Sequence, residues 1–117
     1  MGVWQQTTLG WIREGPAPAE QLGYPAPGVE LGLIERFAPL TGREVLEIGC
    51  GSGRLTFQYA RRARRVVALD PNEADVELAR ERAARAALGN VVFLAQPGQR
   101  PPADRGPFDV AIFSWSL

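Results

Sequence analysis

The stretch Glu44-Val45-Leu46-Glu47-Ile48-Gly49-Cys50-Gly51-Ser52-Gly53-Arg54-Leu55-Thr56-Phe57-Gln58-Tyr59-Ala60 reads as a strand, a glycine loop and a helix. Val45, Leu46 and Ile48 form a short apolar run suited to a strand buried on both faces, and glycines at alternate positions then interrupt it. A loop of this kind lets main-chain N–H groups come close to a ligand, because glycine adopts positive φ and carries no side chain beyond a hydrogen. The helix that follows is expected to aim the positive end of its dipole at the same place.

The spacing of the glycines discriminates between ligands. A dinucleotide fingerprint, G-x-G-x-x-G, requires a glycine three residues after Gly51, and Arg54 stands there. A nicotinamide-dependent oxidoreductase is therefore disfavoured. The pattern present is Glu47-x-Gly49-x-Gly51-x-Gly53. Further on, Arg65-Val66-Val67-Ala68-Leu69-Asp70 is a second apolar run that ends in a carboxylate, where nucleotide-binding α/β domains hold the ribose hydroxyls. A carboxylate at that position accepts two hydrogen bonds from a cis-diol. Turn chemistry alone explains a glycine loop, but not a loop and an acid in register.

This combination resembles motif I and the ribose-binding acid of the class I S-adenosylmethionine-dependent methyltransferases. The resemblance runs from about Val29 to Leu117. It implies that the loop Glu47, Gly49, Gly51 and Gly53 contacts the amino-acid part of S-adenosylmethionine, that Asp70 binds the ribose, and that Pro71 lies by the adenine. Many members carry a carboxylate after the third strand for the adenine amino group; here Gln96 is the residue expected to accept that hydrogen bond. Ser114 and Trp115, after the fourth strand, fall where contacts to the cofactor and the methyl acceptor are expected. No catalytic side chain is assigned, because a methyl group on a sulfonium is already activated and needs mainly placement. Cys50 is read as a small packing residue of the loop.

Composition narrows the remaining classes. The 117 residues allow one domain with one modest core, and the formal net charge of zero gives no electrostatic case for a nucleic-acid or membrane partner. A single cysteine and no histidine exclude an internal disulfide framework, a zinc cluster and a histidine-dependent triad. No apolar run approaches the length of a membrane helix. A cytoplasmic location is the default expectation. All thirteen basic residues are arginine, which reads as genome composition before function.

Taken in order, residues 1–27 read as an N-terminal extension with little regular structure, broken by Pro16, Pro18, Pro25 and Pro27. Trp4, Trp11 and Tyr24 either cover the ligand or pack on the domain, with packing favoured. Residues 28–117 read as the N-terminal half of the methyltransferase domain. Val29 to Ala38 has helical spacing and stops at Pro39. Arg61, Arg62, Arg64 and Arg65 collect at the end of the helix after the loop. Asn72 is a good N-cap for the next helix, with Asp75 supporting its first turn and Gly89-Asn90 its C-cap. Val91 to Ala95 and Phe108 to Phe113 are the third and fourth strands.

Strands alternating with helices predict an α/β fold, a Rossmann-like doubly wound parallel sheet, truncated after the fourth strand. Glycine loop, Asp70, Gln96 and Ser114 all lie at strand carboxyl ends and should converge. The fourth strand is expected to be an open apolar edge, so the chain is expected to be a fragment of a longer protein or to be completed by a partner or its own dimer. The function the resemblance implies is methyl transfer from S-adenosylmethionine to an acceptor, expected to be a small molecule. The alternatives are an inactive, truncated methyltransferase-like binding module and, less favoured, the NAD-dependent oxidoreductase.

Overall fold

The structure, a computed structural model, describes residues 2–7, 10–14, 29–99 and 102–114. Tyr24, the proline-rich stretch around it and Trp115 lie outside the described residues. The element order is β1 (Gly2–Thr7), β2 (Gly10–Glu14), α1 (Val29–Phe37), β3 (Glu44–Ile48), α2 (Thr56–Tyr59), β4 (Arg65–Asp70), α3 (Glu73–Arg85), β5 (Val91–Ala95) and β6 (Val110–Phe113). A short 3-10 turn, Ala103–Arg105, precedes β6.

The strands form one sheet in the order β2-β1-β6-β3-β4-β5. Strands β3, β4, β5 and β6 are mutually parallel, as the alternation of strands and helices predicts. The chain first winds outward through β4 and β5 and then returns to the other side of β3 with β6. The order therefore reverses between β3 and β6, and that crevice is where open α/β sheets bind ligands.

The N-terminal segment departs from the expectation of little regular structure. Residues 2–14 contribute the β1–β2 hairpin, and β1 runs antiparallel beside β6, pairing Gly2 with Phe113, Trp4 with Ala111 and Gln5 with Val110. The fourth parallel strand is thus not an open edge. Segment 2–7 lacks the alternation of a strand, since Trp4, Gln5, Gln6 and Thr7 follow without period. An unpaired apolar strand supplies the reason it pairs, because backbone donors and acceptors left without partners are costly.

Strand alternation sorts the core into two faces. Val45, Val66, Ala68, Val110 and Ile112 point one way and join Leu31 and Ile34 of α1, Leu55 and Tyr59 around α2, and Val76, Ala79 and Ala83 of α3. Leu46, Val67, Leu69 and Ala111 point the other way and meet Phe108, Trp4, Ile48 and Leu94. All three helices therefore share one face.

The helix after the glycine loop is shorter than the sequence implies. It has one turn, Thr56–Tyr59, preceded by turns over 51–55. A single turn carries little macrodipole, so the dipole expected to act on the ligand is mostly absent. Arg65 belongs to β4, where it pairs with Glu44 at 3.4 Å and stacks over Phe108. Helix α3 begins as expected, with Asn72 Oδ1 accepting the Asp75 N–H at 3.0 Å. It ends earlier than Gly89: Ala87 takes φ 54°, and the N–H groups of Ala87 and Leu88 bond to the carbonyls of Ala84 and Ala83. This is a Schellman stop with alanine in the left-handed position.

Candidate functional site

Strand β3 delivers the chain into a loop in which Gly49, Gly51 and Gly53 have φ of 83°, 57° and 95°. A side chain at any of these positions would be strained, and a Cβ on Gly53 would run into the Phe57 ring. The alternate glycines are therefore the residues that let the strand turn back under itself.

Four of the loop's N–H groups, those of Gly49, Cys50, Gly51 and Gly53, are committed inward. Gly49 and Cys50 donate to the Leu69 carbonyl at 2.8 and 3.0 Å, Gly53 donates to the Cys50 carbonyl at 3.0 Å, and Gly51 donates to Asp70 Oδ2 at 2.9 Å. The expectation that these N–H groups face a ligand is replaced by a different arrangement. They pin the loop to β4, and the loop offers close approach and carbonyl oxygens instead.

Beneath the loop lies Glu47, with no solvent exposure. Its Oε1 accepts hydrogen bonds from Thr56 Oγ1 at 2.8 Å and the Tyr59 hydroxyl at 2.7 Å, and its Oε2 accepts from Ser114 Oγ at 3.0 Å. Ser114 also lies 2.8 Å from the Gly49 carbonyl, while its N–H bonds to Ile48 at 2.9 Å. One hydroxyl hydrogen thus chooses among three acceptors, the Ile48 carbonyl at 3.4 Å being the third, and Ser114 ties the end of β6 to the loop after β3. Burial, then the charge of Glu47, pushes the Tyr59 phenol well above its usual range. Burial, then the charges of Glu47 and Asp70, pushes the Cys50 thiol upward. A thiol so raised stays protonated and is a poor nucleophile.

Two cavities open along the loop. The first, of about 250 Å³, is lined by Cys50, Gly51, Ser52, Arg54, Asp75 and Ser114 among others. The second, open and about 970 Å³, lies between Gly49, Asp70, Pro71, Asn72, Asp75 and Gln99. Gly49 and Asp75 line both, so the two are ends of one site. Asp70 closes β4 with 3% exposure; its oxygens accept the Gly51 and Asn72 N–H groups, each at 2.9 Å. Each oxygen has a further lone pair for a ligand.

The site residues read from the sequence divide accordingly. Gly49, Gly51, Asp70, Pro71 and Ser114 line the cavities, whereas Glu47 and Gly53 support the loop from behind. Gln96 bonds through its N–H to the carbonyls of Asp70 and Leu94, and Pro97, Gly98 and Gln99 line the cavity beyond it. The sequence marks Asp75 only as support for the first turn of a helix. Its place on both walls follows from α3 starting at the carboxyl end of β4, a signal already present in Asp70-Pro71-Asn72. Phe113, 41% exposed at the end of β6, is a further lining residue that the strand pattern alone hides.

The cavity is electrostatically one-sided. Asp70 and Asp75 face it, and Arg54 is the basic residue among the linings of the two cavities. Such a site suits a cationic ligand with a diol, and disfavours a pyrophosphate, which needs free N–H donors or cations.

A family model described as a methyltransferase domain matches residues 45–117. The chain is 30% identical over 87 residues to the demethylmenaquinone methyltransferase of Lactococcus lactis, covering 72% of this chain and 34% of that protein. It is 48% identical over 60 residues to the 23S rRNA (uracil(1939)-C(5))-methyltransferase RlmD of Alkalilimnicola ehrlichii, covering 51% of this chain and 14% of that protein. It also resembles the structure of PKMT2 from Rickettsia typhi in complex with AdoHcy, with a TM-score of 0.52 and 26% identity, over 60% of this chain and 14% of that one. The chain therefore spans between about a seventh and about a third of the length of these relatives. With the glycine loop, the acid that ends β4 and the strand order all in agreement with that match, the chain belongs to the class I S-adenosylmethionine-dependent methyltransferases.

Proposed function

We propose that this chain is the cofactor-binding half of an enzyme that transfers a methyl group from S-adenosylmethionine to a small-molecule acceptor. The observation that carries the reading is the cavity walled by Asp70 and Asp75 at the point where strand order reverses. A site for a dinucleotide pyrophosphate needs the opposite character, which argues against the NAD-dependent alternative.

The residues present fit the cofactor by chemistry. Asp70 would hold the ribose diol through its remaining lone pairs, and Pro71 and Gln99 would flank the adenine. Gln96 belongs to the same adenine end, where its part is to set the turn that presents Gly98 and Gln99. Asp75 and the loop carbonyls would face the ammonium and sulfonium charges, and Arg54 the carboxylate. Gly49 and Gly51 would allow the ligand against the backbone, with Gly53 and Glu47 keeping the loop in shape.

The chemistry supplied by the bound cofactor is a methyl group already activated on a positively charged sulfur. What the protein adds is placement and exclusion of water. Ser114 and Phe113, at the end of β6 beside the loop, would border the path to the acceptor. The tie from Ser114 to Glu47 and Gly49 holds the two strand ends in fixed relation. No helix among the described residues is long and apolar enough to cross a membrane. The cytoplasmic setting expected from the sequence belongs to the same proposal.

Thermal unfolding of the chain with S-adenosylhomocysteine, and with NAD as control, tests the reading. A ligand that binds only the folded state at a hundredfold excess over its Kd adds about 2.7 kcal/mol. A rise in Tm with S-adenosylhomocysteine and none with NAD is expected. A rise with NAD alone would reverse the assignment.

A further inference from the structure

Two carboxylates stand on the wall of the cofactor cavity, and the fold uses them differently. Asp70 is committed, since its oxygens accept the Gly51 and Asn72 N–H groups, each at 2.9 Å. Those donors balance part of its charge. Asp75, in the first turn of α3, is half-buried, and among the described residues its carboxylate makes no hydrogen bond or ion pair. The cap of the helix does not need it, because Asn72 Oδ1 already takes the Asp75 N–H at 3.0 Å. A carboxylate partly withdrawn from water, with no partner of its own, favours a cation beside it.

The place of Asp75 along the site follows from which residues line which end. Cys50, Ser52 and Arg54 belong to the smaller end, and Asp70, Pro71 and Asn72 to the larger. Gly49 and Asp75 line both, and of these two only Asp75 has a side chain. With the ribose at Asp70 and the amino-acid part beside Arg54, the atom that joins the two parts of the cofactor falls where the ends meet. That atom is the sulfur. The Asp75 charge also reaches the loop: after burial and the charges of Glu47 and Asp70, it adds to what keeps the Cys50 thiol protonated.

We propose that Asp75 is the residue by which this site tells the charged cofactor from its neutral product, through the attraction of its carboxylate for the sulfonium; this rests on the methyl-transfer reading above. S-adenosylmethionine and S-adenosylhomocysteine share their nucleoside and their amino acid, so Asp70, Arg54 and the glycine loop treat them alike. They differ at sulfur, which is positive in the first and neutral in the second. A carboxylate beside that atom adds affinity for the first and none for the second. The consequence is exchange, because the product is held only by contacts that a fresh cofactor also makes.

The test uses the 117-residue chain and three ligands in titration calorimetry: S-adenosylmethionine, S-adenosylhomocysteine, and sinefungin, whose ammonium stands in place of the methylated sulfur. In Asp75→Asn, S-adenosylmethionine and sinefungin are expected to weaken by about fivefold or more, while S-adenosylhomocysteine stays within about twofold of its wild-type affinity. The difference between the ligands should shrink in high salt, which screens a partly exposed charge. Asp75→Ser serves if Asp75→Asn does not fold. Equal weakening of all three ligands would overturn the proposal by placing Asp75 at the α-ammonium they share. Unchanged affinities would overturn it by removing Asp75 from the ligand. Failure of all three to bind the wild-type chain would instead overturn the cofactor reading, and the proposal with it.

Discussion

The Tyr59 hydroxyl donates a 2.7 Å hydrogen bond to Oε1 of Glu47, and neither residue has any exposure to solvent. The bond joins the one-turn helix α2 to the strand that feeds the glycine loop. Thr56 shares the same oxygen, and Ser114 takes the other. A buried carboxylate with two hydroxyl donors on one oxygen and the Ser114 hydroxyl within reach of the other gathers three chain segments where the ligand cavity begins.

Removing one of those donors should be costly. Hydrogen bonds to charged groups contribute about 1.5–3 kcal/mol, so Tyr59→Phe is expected to destabilise the fold by that order, with Thr56→Val similar. Urea unfolding of both variants reads the change. A cost near zero for both would show that the Glu47 carboxylate does not depend on these hydroxyls.

Asp70 connects the loop to the ligand. Asp70→Asn preserves size but loses the charge that accepts the Gly51 and Asn72 N–H groups, and it offers a poorer acceptor to a diol. The stabilisation by S-adenosylhomocysteine should fall by at least tenfold in affinity, measured as the ligand concentration that gives half the Tm shift. Retention of wild-type affinity would remove Asp70 from the site.

Ala87 ends α3 with φ 54°. A left-handed conformation costs a non-glycine residue about 1–2 kcal/mol, so Ala87→Gly should stabilise the protein by about 1 kcal/mol after the greater entropy of glycine in the unfolded chain is counted. Gly53→Ala should do the reverse, lowering stability by at least 1–2 kcal/mol because φ is 95° and the Phe57 ring occupies the space. Denaturant midpoints of the two variants should move in opposite directions.

Alkaline pH should weaken the fold through Cys50 and Tyr59. Both have folded pKa values raised above their unfolded ones. Their contribution is complete below the unfolded values, about 8.5 for a thiol and about 10 for a phenol, and is lost as pH rises above them. Stability measured by urea unfolding should hold up to about pH 8 and then decline, and Cys50→Ala should remove the earlier part of that decline. The native thiol should also resist alkylation at pH 8 until denaturant is added.

What the sequence determined by itself was local or periodic. Alternate glycines after an apolar run specify a tight loop, because glycine accepts without strain the three positive φ values found at Gly49, Gly51 and Gly53. Strand β5 runs over Val91–Ala95, the range its apolar run marks, and Asn72 caps α3 through its own side chain. Parallel pairing followed from helices between strands, and with it the convergence of Gly49, Asp70 and Ser114. Tertiary structure decided whatever depends on competition between partners distant in the chain. Segment 2–7 has no strand period, and it becomes β1 because β6 presents an edge that must be paired. The N–H groups of Gly49, Cys50 and Gly51 point inward because Leu69 and Asp70 of β4 are there to accept them, which leaves Asp70 and Asp75 to set the character of the cavity wall. The helix stop moved to Ala87 because Leu88 packs into the core. The meeting of Ile48, Gly98 and Phe113 on one cavity wall belongs to no stretch of sequence, since it arises only when two strand ends and the loop after β5 occupy the same few ångströms.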